Sequence, residues 1–339
     1  MDKKSIKFVV IGCGHIGKRH AAMILANPEA ELVALVDIKS KEELGLTSFV
    51  VPFFNSIDEL LSSNLEYDVV NIAVPNGIHA QVANLFIENY KSVVIEKPMT
   101  LSSVDAEELI QKAKEKEVSL FVVMQNRYSP PSQWLKQIVD SGKLGQIYMI
   151  QMNCFWNRDE RYYDGKGWHG KKDLDGGVLF TQFSHFIDIL YWVFGEIYNI
   201  KSTLKDFNHQ NLTDFEDSGI VTFELEHGAL GNLNFSTSVW DQNLESSMTI
   251  IAENGSIKIG GQYMDKVAYC HIKDYKIPVL GITSPGNDYG IYKGSAANHQ
   301  FVIENVVDVL LRGETITTTG EEGLKVVKII EKMYNFKRI

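Results

Sequence analysis

Five short runs rich in β-branched and other apolar residues punctuate the first 125 positions, at 7–12, 31–37, 68–74, 92–97 and 119–125. Each is almost continuously apolar, the pattern of a strand buried on both faces. Between them, apolar positions recur at helical spacing over 16–27, 56–63, 78–90 and 103–117, the last with Ser102 or Ser103 as N-cap and acidic residues in its early turns. Strand and helix in regular alternation predict a doubly wound parallel sheet.

The period changes after Asn126. One more helix, over 132–141, leads into strands that alternate apolar and polar residues, at 147–156, 219–239 and 247–261. The second is expected to fold back at Glu226-His227-Gly228. The third turns at Asn254-Gly255, a pair suited to φ > 0. A single helix is predicted over 178–194, stopping at Gly195, and two more close the chain near 298–311 and 320–336. The expected fold class is α/β: an N-terminal Rossmann-type doubly wound domain over 1–125, then an α+β domain with a large, mostly antiparallel sheet over 126–339.

Composition narrows the function. The 339 residues carry 33 Lys and Arg against 43 Asp and Glu, a net charge of −10 that repels phosphate backbones and argues against nucleic acid. With 45% hydrophobic and 22% charged residues the chain has ordinary globular composition. Cys13, Cys154 and Cys270 are odd in number and widely separated, so neither a disulfide framework nor a metal site is expected. The apolar run after Lys3-Lys4 is too short for a signal peptide, and 186–194 falls far below the ~20 residues of a membrane span. No membrane association and a cytoplasmic location are therefore expected.

Gly12-Cys13-Gly14-His15-Ile16-Gly17 follows a strand and opens a helix, and Asp37 ends the next strand. In that context the glycines allow a tight turn and backbone approach to a pyrophosphate, and the helix N-terminus supplies donors to it. Asp37 would accept hydrogen bonds from ribose hydroxyls and repel a 2′-phosphate. NAD is the expected cofactor and NADP is disfavoured, with Lys39 weakening the preference slightly. Ligands of such sheets bind outside the carboxyl ends of the strands. That rim carries Gly12, Asp37, Pro75-Asn76 with His79 just beyond, Glu96-Lys97-Pro98 and Gln125-Asn126-Arg127. Pro75, Asn76, His79, Glu96, Lys97 and Gln125 join the loop as cofactor candidates.

These motifs resemble the glucose-fructose oxidoreductase and inositol dehydrogenase (Gfo/Idh/MocA) family across essentially the whole chain. Glu96-Lys97-Pro98 is the most specific piece, and Gly176-Gly177 with His185 and Asp188 resembles the family's second-domain signature. Within it the chain looks similar to WlbA-type UDP-N-acetylglucosaminuronate 3-dehydrogenases, on Gln125-Asn126-Arg127, Phe155-Trp156, Arg158, Tyr162-Tyr163-Asp164, Gly167-Trp168 and Gln182. It departs at Thr181, where many members carry Asp, and in the spacing from Tyr289 to His299. The resemblance implies a sugar dehydrogenase of surface-polysaccharide synthesis acting on a nucleotide sugar, and a homo-oligomer, dimer or tetramer, assembled through the second domain's sheet.

Thr181, His185 and Asp188 stand at i, i+4 and i+7, so one continuous helix would present them on a single face. Oxidation of a secondary hydroxyl, C3 in the WlbA-type reaction, needs a base near neutral pH, and Lys97 or His185 can serve. Thr181 can orient a hydroxyl. The segment 156–173 holds Arg158, Arg161, Lys166, Lys171 and Lys172 against four acids, among aromatic residues suited to stacking, and is the expected substrate clamp. Substrate candidates are Asn126, Arg127, Arg158, Tyr163, Trp168, Gln182, His185 and His299. Competing readings are a dehydrogenase of a free sugar or cyclitol, an NAD-dependent glycosidase, and a non-catalytic NAD-bound regulator.

Overall fold

The computed structural model describes residues 5–335 apart from Lys166 and Ile291, so Lys166 of the expected clamp and Phe336 of the last predicted helix lie outside the described residues. In chain order the elements are β1 (Ile6–Ile11), α1 (His15–Ala26), β2 (Ala30–Val36), β3 (Phe53–Phe54), α2 (Ile57–Ser62), β4 (Val69–Ile72), α3 (His79–Glu88), β5 (Ser92–Ile95), α4 (Ser103–Glu115), β6 (Leu120–Val122) and α5 (Pro130–Asp140). They continue with β7 (Ile147–Phe155), α6 (Lys172–Asp175), α7 (Val178–Thr181), α8 (Ser184–Phe194), β8 (Ile197–Lys205), β9 (Ser218–Leu225), β10 (Leu230–Ser236), β11 (Glu245–Ala252), β12 (Gly255–Gly260) and β13 (Lys266–Ile272). Then come β14 (Gly286–Asp288), β15 (Lys293–Ala296), α9 (His299–Arg312) and α10 (Gly320–Asn335). The chain forms two compact units, one of residues 1–124 with 299–327, the other of 125–298 with 328–339.

The first unit is built on a six-stranded sheet ordered β3-β2-β1-β4-β5-β6, every pair parallel. Phe8, Val9, Val10, Val70, Ile72, Val93 and Val94 are fully buried, as near-continuous apolar strands require. Helix starts follow the capping rules: Ser56 Oγ accepts the Glu59 amide and Ser102 Oγ the Asp105 amide. Strand β3 is a sixth strand beyond the five read from the sequence, two residues pairing Phe53 and Phe54 with Leu35 and Val36. Residues 299–327 also differ from the sequence reading, which placed everything after 125 in the second domain. They group here because α9 packs on α1 and β1, and Thr319 bridges to Phe121.

The second unit centres on a seven-stranded sheet ordered β13-β12-β11-β7-β10-β9-β8, antiparallel except for β7 with β10. Along β10 the inward residues Gly231, Leu233 and Phe235 are buried and alternate with exposed or half-buried Leu230, Asn232 and Asn234. Phe183 and Phe186 pack edge-on to Trp156, and Phe183 meets Phe235 with ring centroids 5.9 Å apart. The apolar run that makes up α8 is therefore core helix, and among the described residues no single helix is long and apolar enough to cross a membrane.

Two local expectations are corrected. The helix read over 178–194 is two helices, α7 and α8, broken at Gln182-Phe183, with a 50° bend between the 172–181 segment and α8. Thr181 and His185 thus do not share the face of one continuous helix. The β11–β12 turn sits one residue earlier than expected, at Glu253-Asn254, because Gly255 already pairs with Ala252. Gly255 is required by close approach instead: a Cβ there would lie 2.5 Å from the His271 carbonyl oxygen in the neighbouring strand. The turn at Glu226-His227-Gly228 forms as expected, with Gly228 at φ +78°.

Candidate active site

The three glycines of the 12–17 segment, at the end of β1 and the start of α1, stand in three different settings. Gly12 has φ +84°, and a Cβ on it would meet the Ala73 carbonyl at 2.6 Å. A Cβ on Gly17 would lie 1.8 Å from the Gly12 carbonyl oxygen, so helix and loop close only without one. Gly14 has an ordinary φ of −65°, and a Cβ there would meet nothing within 4 Å. The open side of the loop is therefore at Gly14, beside His15 and Ile16 and at the N-terminus of α1, where an approaching pyrophosphate would find backbone donors. The loop fits a dinucleotide. Asp37 is fixed at the end of β2 by the Cys13 amide on Oδ2 (2.6 Å) and the Lys39 amide on Oδ1 (2.9 Å). Cys13 is a buried filler, its thiol pushed up to about 12 by burial, with the Asp37 charge adding to the shift.

On the β5 side of the rim, Lys97 is half-buried and followed by Pro98 through a cis peptide. Glu96 is buried behind it. Its Oε2 accepts the Lys97 amide at 3.1 Å, and its Oε1 accepts His20 Nε2–H at 2.8 Å, with His299 Nε2 3.4 Å away. The Asn71 side-chain amide donates to His20 Nδ1 at 2.7 Å, so the His20 proton sits on Nε2. Although Glu96 is fully buried, the two imidazoles hold its carboxyl well below the usual range. His20, Glu96 and His299 have ligand atoms within 4.8 Å of one another, a set compatible with a metal ion. Hydrogen bonds to Glu96 from His20 and from the Lys97 amide make the set a clamp on the backbone of Lys97, with His299 close beside it. Sequence reasoning placed Glu96 on the cofactor and His299 on the substrate; the fold brings them together, with His20, as a buried anchor. His79 is likewise inside the protein, both ring nitrogens facing backbone carbonyls. Asn76 is buried and Pro75 half-buried at the end of β4.

In the second unit the Gln125 side-chain amide donates to His185 Nε2 (3.4 Å) and Ser295 Oγ (3.3 Å). An imidazole nitrogen that accepts carries its lone pair there, the form a base needs. Asn298 holds this segment by donating to the Gln125 carbonyl and to Ser129 Oγ. Two buried acceptors, Gln125 Oε1 and Asn126 Oδ1, have no hydrogen-bond partner among the described residues. Ser295 and Asn298 escaped sequence reasoning because only the fold carries them back, about 170 residues on, to the turn after β6.

Both arginines of the expected substrate clamp are engaged within the protein, whereas Lys171 and Lys172 are exposed. Arg127 is buried against Asp188. Arg158 is buried, its guanidinium spent on Gln182 Oε1 (2.9 Å), Asn243 Oδ1 (3.2 Å) and the Asn157 and Lys293 carbonyls, and packed on Trp156, Tyr162 and Tyr292. No carboxylate lies among those partners. Gln182 is used twice, accepting from Arg158 and donating to Tyr162. Arg161 is forked onto Asp159 and also meets Asp241. Tyr163 is buried edge-on to Tyr162, and burial pushes its hydroxyl well above the usual tyrosine range. The Thr181 hydroxyl donates to the Asp175 carbonyl (2.8 Å) and lies against its carboxylate. Trp168, half-buried, ends an aromatic ladder running through His169, Tyr162 and Tyr292 to Tyr289.

Comparison with known proteins agrees with this geometry. Residues 6–124 match the family model described as "Oxidoreductase family, NAD-binding Rossmann fold", and residues 132–258 match the "GFO/IDH/MocA C-terminal domain". The chain is similar to the WlbA dehydrogenase of Bordetella pertussis, crystallised with NADH and UDP-GlcNAcA, at 28% identity and TM-score 0.87, covering 98% of this chain and 96% of that one. It is also similar to inositol 2-dehydrogenase of Rhizobium meliloti (21% identity, 96% of this chain, 95% of that protein). A third relative is 2,7-anhydro-N-acetylneuraminate hydratase of Escherichia coli (25% identity, 76% of this chain, 71% of that protein). With both halves matched and a glycine loop shaped for the dinucleotide, the chain belongs to the Gfo/Idh/MocA family and is an NAD-dependent oxidoreductase.

Proposed function

We propose that the protein oxidises a secondary hydroxyl, at C3, of a nucleotide sugar such as UDP-N-acetylglucosaminuronate, in surface-polysaccharide synthesis. The observation that carries this reading is similarity along nearly the whole chain to a dehydrogenase crystallised with UDP-GlcNAcA. Gly12, Gly14, His15, Ile16, Gly17 and Asp37 hold NAD, together with Pro75, Asn76 and Lys97. When bound, NAD supplies the hydride acceptor. The chain supplies the base: Lys97, its backbone clamped through Glu96, or His185, its Nε2 lone pair maintained by Gln125. The unpartnered acceptors Gln125 Oε1 and Asn126 Oδ1 suit sugar hydroxyls, since each hydroxyl brings a donor that a buried amide oxygen lacks. Trp168, partly open at the end of its ladder, suits stacking on a flat ligand face.

Thr181 acts through Asp175 in this reading, and Arg127, Arg158 and Gln182 act as internal supports of the second unit. The enzyme works in the cytoplasm as a homo-oligomer. The outward face of the seven-stranded sheet, with exposed Met149, Ile220, Leu230 and Ile251, offers the surface for a second copy. Thermal unfolding with NAD and a panel of nucleotide sugars tests the reading, because a ligand of the native state raises its stability. Stabilisation by UDP-GlcNAcA beyond that given by NAD alone is expected; equal melting with and without every nucleotide sugar counts against it.

A further inference from the structure

His79 begins α3, seven residues beyond the end of β4, and its ring is 1% exposed. Nδ1 lies 2.8 Å from the Pro98 carbonyl oxygen and Nε2 lies 2.9 Å from the Val74 carbonyl oxygen. Both partners are backbone carbonyls, which accept and never donate. A neutral imidazole has one N–H; whichever nitrogen lacks it would point a lone pair at an oxygen lone pair at hydrogen-bond distance, in a buried setting that leaves no room for water to mediate. His20 in the same unit shows the contrast. It faces one donor, the Asn71 amide, and one acceptor, Glu96, and a neutral ring satisfies both. The two carbonyls around His79 ask for two donors.

We propose that His79 is an imidazolium in the folded protein, and that its two charge-assisted hydrogen bonds clip the chain after β4 to the turn after β5, making it a positioning residue for Lys97. Burial is the largest influence on the ring and acts against the charge, so the cation stands only if the two carbonyl contacts outweigh it. Both carbonyls and the ionised Glu96 carboxylate favour the charge, while Lys97 opposes it. The geometry decides between the two forms, because only the cation turns both contacts into attractions. The clip ties down the Pro98 carbonyl, one residue past Lys97, as Glu96 ties down the Lys97 amide. Lys97 is thus held on both sides by groups whose own positions are fixed by burial. The assignment of catalytic consequence rests on the dehydrogenase reading above; the protonation state does not.

The test is nitrogen NMR of the full chain labelled at its histidine rings, with through-bond assignment of His79 in the wild type. At pH 7 both His79 nitrogens are expected at protonated positions, each carrying a slowly exchanging N–H. One nitrogen at an unprotonated position overturns the proposal, whether or not the protein turns over any sugar. The kinetic arm is His79→Gln, which removes the positive clip. Its kcat is expected to fall about tenfold or more, the equivalent of one charge-assisted hydrogen bond, while NAD affinity changes much less. An unchanged kcat in a folded variant overturns the positioning role. If the variant does not fold, the decline of wild-type kcat at high pH is compared with loss of the second His79 N–H signal; a rate that holds while that proton is lost overturns the role. Absence of turnover with an intact imidazolium signal contradicts the dehydrogenase reading instead.

Discussion

Arg127 and Asp188, 61 positions apart, form a two-pronged ion pair in which Nε lies 2.9 Å from Oδ2 and Nη2 lies 2.6 Å from Oδ1, with both residues at most 2% exposed. The pair joins the turn after β6 to the middle of α8. A buried charge that loses its partner is costly, so Asp188→Asn is expected to destabilise the protein by about 3–5 kcal/mol. Denaturant unfolding measures it. A loss below about 1 kcal/mol would show that the pair contributes little to holding α8.

Gly14→Ala separates cofactor binding from folding. A Cβ there meets no described atom within 4 Å and φ is an ordinary −65°, so stability should change by no more than about 1 kcal/mol, the scale of an N-cap substitution. The methyl occupies the open side of the loop, and NAD affinity should drop about tenfold or more. Titration calorimetry and a melt on the same sample give both numbers. Retained affinity would remove the loop from the pyrophosphate site.

Lys97→Ala keeps the glycine loop and the Glu96 anchor but deletes the ammonium. Loss of a proton-transfer group costs roughly 10²–10⁴ in rate. NAD binding should stay nearly intact, and single-turnover formation of reduced nicotinamide should fall by that factor. A variant as fast as the wild type leaves His185 as the base.

Glu216 gives the fold a pH dependence of known sign. Burial raises its carboxyl from the ordinary 4.5 to about 7, against the hydrogen bond from the Tyr334 hydroxyl (2.7 Å). The folded state therefore binds a proton that the unfolded chain has already released between about pH 4.5 and 7. Stability from this group is full below that window and lost as pH rises through it, on the order of 3 kcal/mol in all. Glu216→Gln should flatten that slope in urea unfolding across the window. An identical slope in the variant would place the titration elsewhere.

Much of the first unit was legible in the sequence because each local signal has one physical cause. Apolar runs must be buried on both faces, and a glycine triplet between strand and helix has few other uses. Strand β3 was not legible, since two phenylalanines after a proline carry no period. The break at Gln182-Phe183 escaped because α8 is apolar almost all round, and such a stretch has no polar face whose shift would mark a bend. Arginines are ordinarily exposed, so Arg127 and Arg158 read as ligand grips until the fold supplied Asp188 at one and an aromatic cage with neutral acceptors at the other. The rim residues were read as a set, yet sorting them needed three dimensions: Glu96, His20 and His299 come from three distant segments, and nothing in their spacing announces that they meet.

Mixing the purified protein with NAD and UDP-GlcNAcA and following the absorbance of reduced nicotinamide, with free N-acetylglucosamine and myo-inositol in parallel, tests whether the chain is a nucleotide-sugar dehydrogenase. Reduction with the nucleotide sugar is expected at a kcat/KM far above that with either unactivated compound. No reduction with the nucleotide sugar, or faster reduction with N-acetylglucosamine or myo-inositol, would overturn the nucleotide-sugar reading.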